Sequence, residues 1–237
     1  MDQQYQHWLY ALSAPMVALN IEYGASYTAP DFYPNDSSLD LKESWDIESR
    51  ESLFDTVTRM IDHGHADELS YPYYLWHQLT PNRWRDYSAH QEESRQVLLE
   101  FVADTALMCG SGGIRAWDLC RMSFLCRIGV LNQWMTEQES LWFHCRIAQR
   151  ARHYYASWQE YASGFLIGRT FWLSISEEQP ELKRYALNSK GTLDSNMTIS
   201  RHLFTEPNSP YQHLIWEMDP AELEMEKPQS LQEVDWS

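Results

Sequence analysis

Hydrophobic residues recur along most of this chain at the three- and four-residue spacing of helices that bury one face. No alternating strand pattern extends beyond a few residues. The pattern therefore predicts an all-α fold, a single compact multi-helix domain with irregular aromatic loops over residues 1–217, and a flexible acidic tail over 218–237. The predicted helices cover residues 3–20, 49–64, 88–108, 114–128, 136–156, 157–172 and 178–188.

Two helix starts carry a capping-box signature. Thr136 is followed three residues later by Glu139, and Ser157 by Glu160. In such a box the hydroxyl accepts a hydrogen bond from the amide three residues on, and the carboxylate bonds back to the start of the helix. We therefore predict that one helix starts at Thr136, and that the next starts at Ser157 with almost no intervening loop.

Proline and glycine mark the predicted interruptions. Pro15 lies inside the first helix and should kink it or end its first part. Gly64 and Gly129 each follow a helical stretch, and glycine is the residue that most often terminates a helix. The aromatic segment 70–87 contains Pro72 and Pro81 and is predicted to be broken at both.

The chain of 237 residues has a net charge of −16, unevenly distributed. Residues 1–68 hold 13 acidic and 3 basic residues, and residues 218–237 hold 6 and 1. A nucleic-acid-binding protein needs a basic surface to replace phosphate counterions, so this balance argues against that class. An acidic surface attracts a basic protein, although acidity also keeps a protein soluble.

The sequence also bears on the compartment. It contains no run of about 18 apolar residues, so we expect no transmembrane helix and no membrane partner. The N-terminus lacks the basic segment and cleavage site of a signal peptide. The four cysteines have no CxxC spacing, and in a chain of this size they are expected to be reduced, packed thiols in the cytoplasm.

The segment between Gly113 and Trp172 carries a resemblance to a known family. It resembles the core of the bacterial family catalogued as domain of unknown function 1266, the YbeU/YbeR-like proteins. The matching residues are Trp117, Asp118, Arg121, Gly129, Thr136–Glu139, Trp158, Gly168, Arg169, Phe171 and Trp172, with Trp45–Ile47, Arg50, Glu51, Gly64 and His65 upstream. Asp46 departs from the family, where a glycine is expected. The resemblance covers residues 45–172 and implies no activity.

One candidate site consists of Asp118, Arg121 and Arg169. Arg115, Asp118 and Arg121 share a helical face, because residues three apart are neighbours. A carboxylate with arginines could bind an anion or position a substrate. The same residues could instead form a structural ion pair between helices, since a charge in an apolar helix is costly unless it is paired.

Metal and nucleophile sites are not indicated. His63 and His65 flank Gly64, and no further histidine or cysteine at zinc-like spacing completes a ligand set. His144 and Cys145 are adjacent on a helix, so their side chains diverge by about 100° and cannot act on each other. We therefore expect no metal and no cofactor.

Two functional hypotheses remain. The first is a non-catalytic protein-binding module in the cytoplasm, whose concrete form is an immunity or inhibitor protein that neutralises a basic toxin. Glu48, Glu51 and Asp55, on the solvent side of the second predicted helix, are its candidate partner contacts. The alternative is an enzyme that uses Asp118, Arg121 and Arg169 on an anionic small substrate.

Overall fold

The protein is α-helical, as predicted. A computed structural model describes residues 2–176, 190–219 and 224–236, and these residues contain no β-strand. The helices are α1 (Gln3–Ala11), α2 (Ala14–Asn20), α3 (Lys42–Trp45), α4 (Arg50–Arg59), α5 (Asp67–Gln78), α6 (Pro81–Ala89), α7 (Glu93–Cys109), α8 (Arg115–Leu131), α9 (Glu137–Tyr154), α10 (Trp158–Ser176) and α11 (Lys190–Phe204). The helix predicted near 178–188 lies outside the described residues.

The contacts divide the chain into two compact units. The first unit comprises residues 1–62, 119–153 and 198–237, and the second comprises 63–118 and 154–197. The core of the first unit is built from α1, α2 and α4 together with parts of α8, α9 and α11. Its fully buried side chains include Leu9, Leu12, Val17, Leu53, Val57, Leu125, Ile128, Phe143, Ile147, Leu203 and Leu231. The single domain over residues 1–217 stays a prediction.

The second unit has its own hydrophobic core, formed by α5, α6, α7 and α10 and by the residues just before α5 and α8. Its members are Ala66, Leu69, Tyr73, Trp84, Leu99, Phe101, Val102, Ala106, Cys109, Ile114, Ile167 and Phe171. Within this unit Gly168 lets α10 approach Trp117 closely, because an added Cβ would lie 2.4 Å from that of Trp117. A larger residue there would force the two helices apart.

Local signals place several helix starts correctly. Ser49 caps α4, and α1 ends before Pro15, which lies in the first turn of α2. The amide of Glu139 donates to Thr136 Oγ1 at 3.2 Å, and that of Glu160 donates to Ser157 Oγ at 3.1 Å. Both predicted capping boxes are therefore confirmed as helix starts.

Three predicted interruptions are wrong. The helix that begins at Ser49 ends at Arg59, before Gly64. Gly129 lies inside α8, where an added Cβ would stand 2.6 Å from a methyl group of Leu53, so this glycine permits close packing and does not end the helix. Pro72 lies inside α5 and is buried.

Part of the tail is packed in the first unit. Within residues 224–236, Leu231 is fully buried and Ser230 donates a hydrogen bond to Glu139. The ring of Trp236 lies edge-on to Trp142 at a centroid distance of 6.1 Å. The flexibility of residues 218–237 as a whole stays a prediction.

Asp46, the residue that departs from the expected family pattern, has a left-handed backbone. It follows α3 with φ 56° and ψ 37°, a conformation that glycine adopts without steric cost. Aspartate is one of the few other residues that tolerate it. The family pattern thus has a physical reason to place a glycine at this position. The aspartate found there carries some backbone strain.

Replacing Asp46 by Gly should raise the free energy of unfolding by about 0.5 kcal/mol, because relief of the left-handed strain outweighs the extra entropy of the unfolded chain. Urea unfolding followed by circular dichroism measures the change. Asp46→Ala is the matched control and should be less stable than the wild type. A glycine variant that unfolds at lower urea than the wild type would contradict the assignment.

All four cysteines are buried and free, and burial raises the pKa of the Cys109 and Cys145 thiols to about 11. Burial and the raised pKa both disfavour the thiolate, which is the reactive form of cysteine. Among the described residues no helix combines the length and the hydrophobicity that crossing a membrane requires.

Candidate functional site

Asp118 is buried in the second unit and holds the start of α5. Its side chain is 6% exposed, and its two carboxylate oxygens accept hydrogen bonds from the amides of His65 at 3.1 Å and Ala66 at 2.8 Å. The His65 ring lies 3.6 Å from the same carboxylate. A negative charge at the start of a helix is favourable, because the helix dipole is positive there. Asp118 thus has a structural task in this unit.

Gly64 makes this arrangement possible. A Cβ added to Gly64 would lie 2.3 Å from Asp118 Oδ2, well inside van der Waals contact. Only a residue without a side chain lets the 64–66 backbone reach the carboxylate. Gly64, which was expected to end a helix, instead allows the backbone to approach the buried Asp118 carboxylate.

The two arginines of the predicted site contact different residues. The Arg121 guanidinium lies over the Trp45 ring at 4.3 Å from its centroid. Arg169 is half-buried, and its guanidinium donates to Asn196 Oδ1 at 3.4 Å. Burial lowers the pKa of Arg169. A joint site of Asp118, Arg121 and Arg169 stays a prediction.

The histidines considered for chemistry have structural surroundings. His63 is exposed, with its ring 3.8 Å from the Asp67 carboxylate. His144 is fully buried: Nδ1 donates to the Ser140 carbonyl at 2.7 Å, so Nε2 accepts from the Ser123 hydroxyl at 2.9 Å. Burial lowers the pKa of His144 to about 4. Within the described ranges no three His, Cys, Asp or Glu residues cluster as metal ligands would.

A buried carboxylate network, which the sequence pattern does not indicate as a site, lies in the first unit. Arg50 forms two hydrogen bonds to the Glu139 carboxylate, at 2.7 and 3.1 Å, and also donates to the Trp134 carbonyl. Ser230 and Thr136 donate to the same carboxylate. Burial opposes ionisation of Glu139, but these hydrogen bonds outweigh it and hold its pKa at about 2. This network ties α4, α9 and the C-terminal segment together.

Among the described residues Arg127 is the largest fully buried side chain, and the sequence pattern does not indicate its role. Its guanidinium donates to Ser13 Oγ at 2.8 Å and to the carbonyls of Ser26 and Ala29. It lies over the Phe32 ring at 4.8 Å from its centroid. Burial lowers its pKa to about 9, so it is still charged near neutral pH. The sequence feature that could have indicated a buried arginine is an arginine among the apolar residues of α8. Arg121 has the same feature, so the pattern does not distinguish the two.

The predicted partner contacts lie on the surface of the first unit. Glu48, Glu51 and Asp55 are all exposed, while Leu53 and Val57 of the same helix are buried. Glu48 forms an ion pair with Lys42. Within the described part of the chain, the Glu51 and Asp55 carboxylates contact no basic residue.

Comparison with known proteins places the chain in a family. Residues 40–216 match the family described as "Protein of unknown function (DUF1266)". The chain is 42% identical to the uncharacterized protein YbeR of Escherichia coli strain K12 over 217 residues, which is 92% of each chain. It is 38% identical to the uncharacterized protein YbeU of the same strain over 234 residues, 99% of each chain. No solved structure matches. The chain therefore belongs to the DUF1266 family.

Proposed function

We propose that this protein is a non-catalytic binding module of the bacterial cytoplasm whose acidic segment, residues 40–55, binds a basic protein. The main observation behind this proposal is the negative charge of the segment, because all six of its carboxylates are exposed. They belong to Asp40, Glu43, Asp46, Glu48, Glu51 and Asp55. Opposite charges speed the encounter of two proteins and help to select the partner.

The two basic residues of the acidic segment do little to neutralise it. Arg50 is engaged in its two hydrogen bonds to the buried Glu139, and Lys42 pairs with Glu48 alone. Five of the six exposed carboxylates therefore have no ion pair with a basic residue of the segment. This leaves a locally negative surface on the first unit for a cationic partner.

The charges on α4 favour a binding role over a stabilising one. Glu51 lies in the first turn, where the helix dipole stabilises it. Asp55 is one turn further on, where like charges four residues apart disfavour the helix by a few tenths of a kcal/mol. Asp55 therefore adds surface charge at a small cost in helix stability, and binding of a basic protein would offset that cost.

The concrete form of this proposal is an immunity or inhibitor protein that neutralises a basic toxin. Such a protein needs an exposed complementary surface and no catalytic group. The arrangement of the candidate residues supports this form, because Asp118 holds the start of α5 and the His144 and Cys145 side chains are buried.

Charge reversal on α4 should abolish capture of the partner. Immobilised wild-type protein and the Glu51→Lys/Asp55→Lys variant would be compared in pull-downs from the native host, and the retained protein would then be purified. Its association rate with the wild type should fall several-fold as salt rises to about 0.5 M, where the Debye length is roughly 4 Å, while dissociation changes less.

The matched control is Glu100→Lys/Asp104→Lys, which reverses two exposed acids at the same spacing on α7 in the second unit. This variant should retain the partner. The proposal fails if no basic protein is recovered, if the control loses the partner equally, or if the association rate is independent of salt.

An enzyme acting on an anionic small substrate is the second candidate, and Arg169 favours it. This half-buried guanidinium has no carboxylate partner within residues 2–176, 190–219 and 224–236. An anion at Arg169 would satisfy it. Phosphate titration followed by NMR should then shift the Arg169 side-chain signal, with Arg169→Gln losing the response; absence of a shift would exclude this candidate.

A further inference from the structure

A groove in the second unit lies between α5 and α6. Its volume is about 650 Å³. Leu75 and Leu79 are partly buried against the core of this unit and also line the groove, and Tyr71 and Tyr87 line it as well. Tyr71 is 60% exposed, so its ring is available to a ligand. The groove therefore offers an apolar and aromatic surface of limited size.

The same groove is also lined by the polar side chains of Arg83, Asp86 and His90. The His90 ring lies 3.6 Å from the Asp86 carboxylate, and its Nδ1 is 2.7 Å from the Asp86 carbonyl. Asp86 thus has a neighbour of its own. Arg83 has neither a hydrogen bond nor an ion pair with the part of the chain that the structure describes. Arg83 is exposed, so its guanidinium is available to a ligand in the groove.

We propose that this groove binds a small organic carboxylate with an aromatic or branched apolar body. The Arg83 guanidinium pairs with the carboxylate, which matches its planar, two-pronged donor geometry. Leu75, Leu79 and the tyrosine rings cover the apolar body. This site shares no residue with the acidic segment, residues 40–55, and it recognises the opposite charge.

The size of the groove favours a small molecule over a protein. Small-molecule sites have volumes of about 300–1,000 Å³, and this groove falls within that range. A stable protein interface uses about 20–30 residues on each side, whereas eight residues line this groove.

The test uses three soluble probes with one apolar body and different end groups: 4-phenylbutyrate, 4-phenylbutyramide and 4-phenylbutylamine. Binding to the full chain would be measured by calorimetry and located by NMR. We expect the carboxylate to bind with a Kd on the order of 1 mM or below, as for a ligand of this size. It should bind about tenfold more tightly than the amide, a difference of about 1.4 kcal/mol, because its pair with the guanidinium is charge-assisted. The margin over the amine should be larger.

Arg83→Gln should reduce carboxylate affinity about tenfold, to the level of the amide, and leave amide binding unchanged. Arg85→Gln is the matched control on the same helix: Arg85 contacts Asn82 and does not line the groove, so all three affinities should persist. Tyr71→Ala, at an exposed position, should weaken all three probes alike.

Several results would overturn the proposal. One is the absence of carboxylate binding at 10 mM, a concentration about tenfold above the expected Kd. Others are equal affinity for the three probes, an equal loss in the Arg83 and Arg85 variants, or NMR shifts confined to residues that do not line the groove. Circular dichroism of each variant establishes that it is folded before binding is compared.

Discussion

Replacing Arg127 by Met should lower the free energy of unfolding by about 4 kcal/mol. The methionine fills much of the same volume but donates no hydrogen bond. The carbonyls of Ser26 and Ala29 then lose their guanidinium donor, and Ser13 loses a partner within the core. Removal of the buried charge returns some free energy, but it does not compensate for the unsatisfied acceptors.

The measurement is urea unfolding, with Arg127→Lys as the comparison. Lysine keeps the charge but reaches fewer of the three acceptors. The free energy of unfolding of Arg127→Lys should therefore lie between those of the wild type and Arg127→Met. Hydrogen exchange should show the segment around Ser26 and Ala29 opening first in the methionine variant. A methionine variant as stable as the wild type would show that the buried cation is not required.

Sequence-local features of the fold could be predicted because their causes are local. A capping box needs two residues three positions apart, and both Thr136–Glu139 and Ser157–Glu160 open helices where predicted. The break before Pro15 follows in the same way from the missing amide of proline. The helical periodicity likewise predicted the all-α class, which requires only the spacing of apolar residues.

Features that depend on residues far apart in sequence could not be predicted. Arg121 and Arg127 both occur in α8, and the pattern does not show which one reaches the core. Arg127 is buried because carbonyls about a hundred positions earlier accept its hydrogen bonds, at separations of 98 and 101 residues. The stacking of Arg121 on Trp45 is likewise invisible in the local sequence.

Glycine illustrates the same limit. Gly129 and Gly64 were both expected to end helices, since that is their commonest role after a helical stretch. Gly129 instead allows α8 to pack closely on Leu53, and Gly64 approaches Asp118, which lies 54 positions later. A sequence shows that a residue lacks a side chain, but not which neighbour requires its absence.

Asp118→Asn is expected to lower the free energy of unfolding by about 3 kcal/mol. The carboxylate accepts from the amides of His65 and Ala66 with one oxygen each. Asparagine keeps one oxygen and turns a donor NH₂ toward the second amide, so a buried donor is left without an acceptor. The loss of negative charge at the start of α5 adds to the effect. Thermal and urea unfolding measure it, and Asp104→Asn on the exposed face of α7 should leave stability unchanged.

A double-mutant cycle with Gly64 separates this contact from a general disturbance of the core. Gly64→Ala alone should cost about 2 kcal/mol, because its Cβ would collide with the Asp118 carboxylate. In an Asp118→Ala background that carboxylate is absent, so the same glycine substitution should cost much less. The difference is a coupling free energy of about 1–2 kcal/mol between the two positions. Additive effects, or an Asp118→Asn variant that melts with the wild type, would show that the carboxylate does not hold the start of α5.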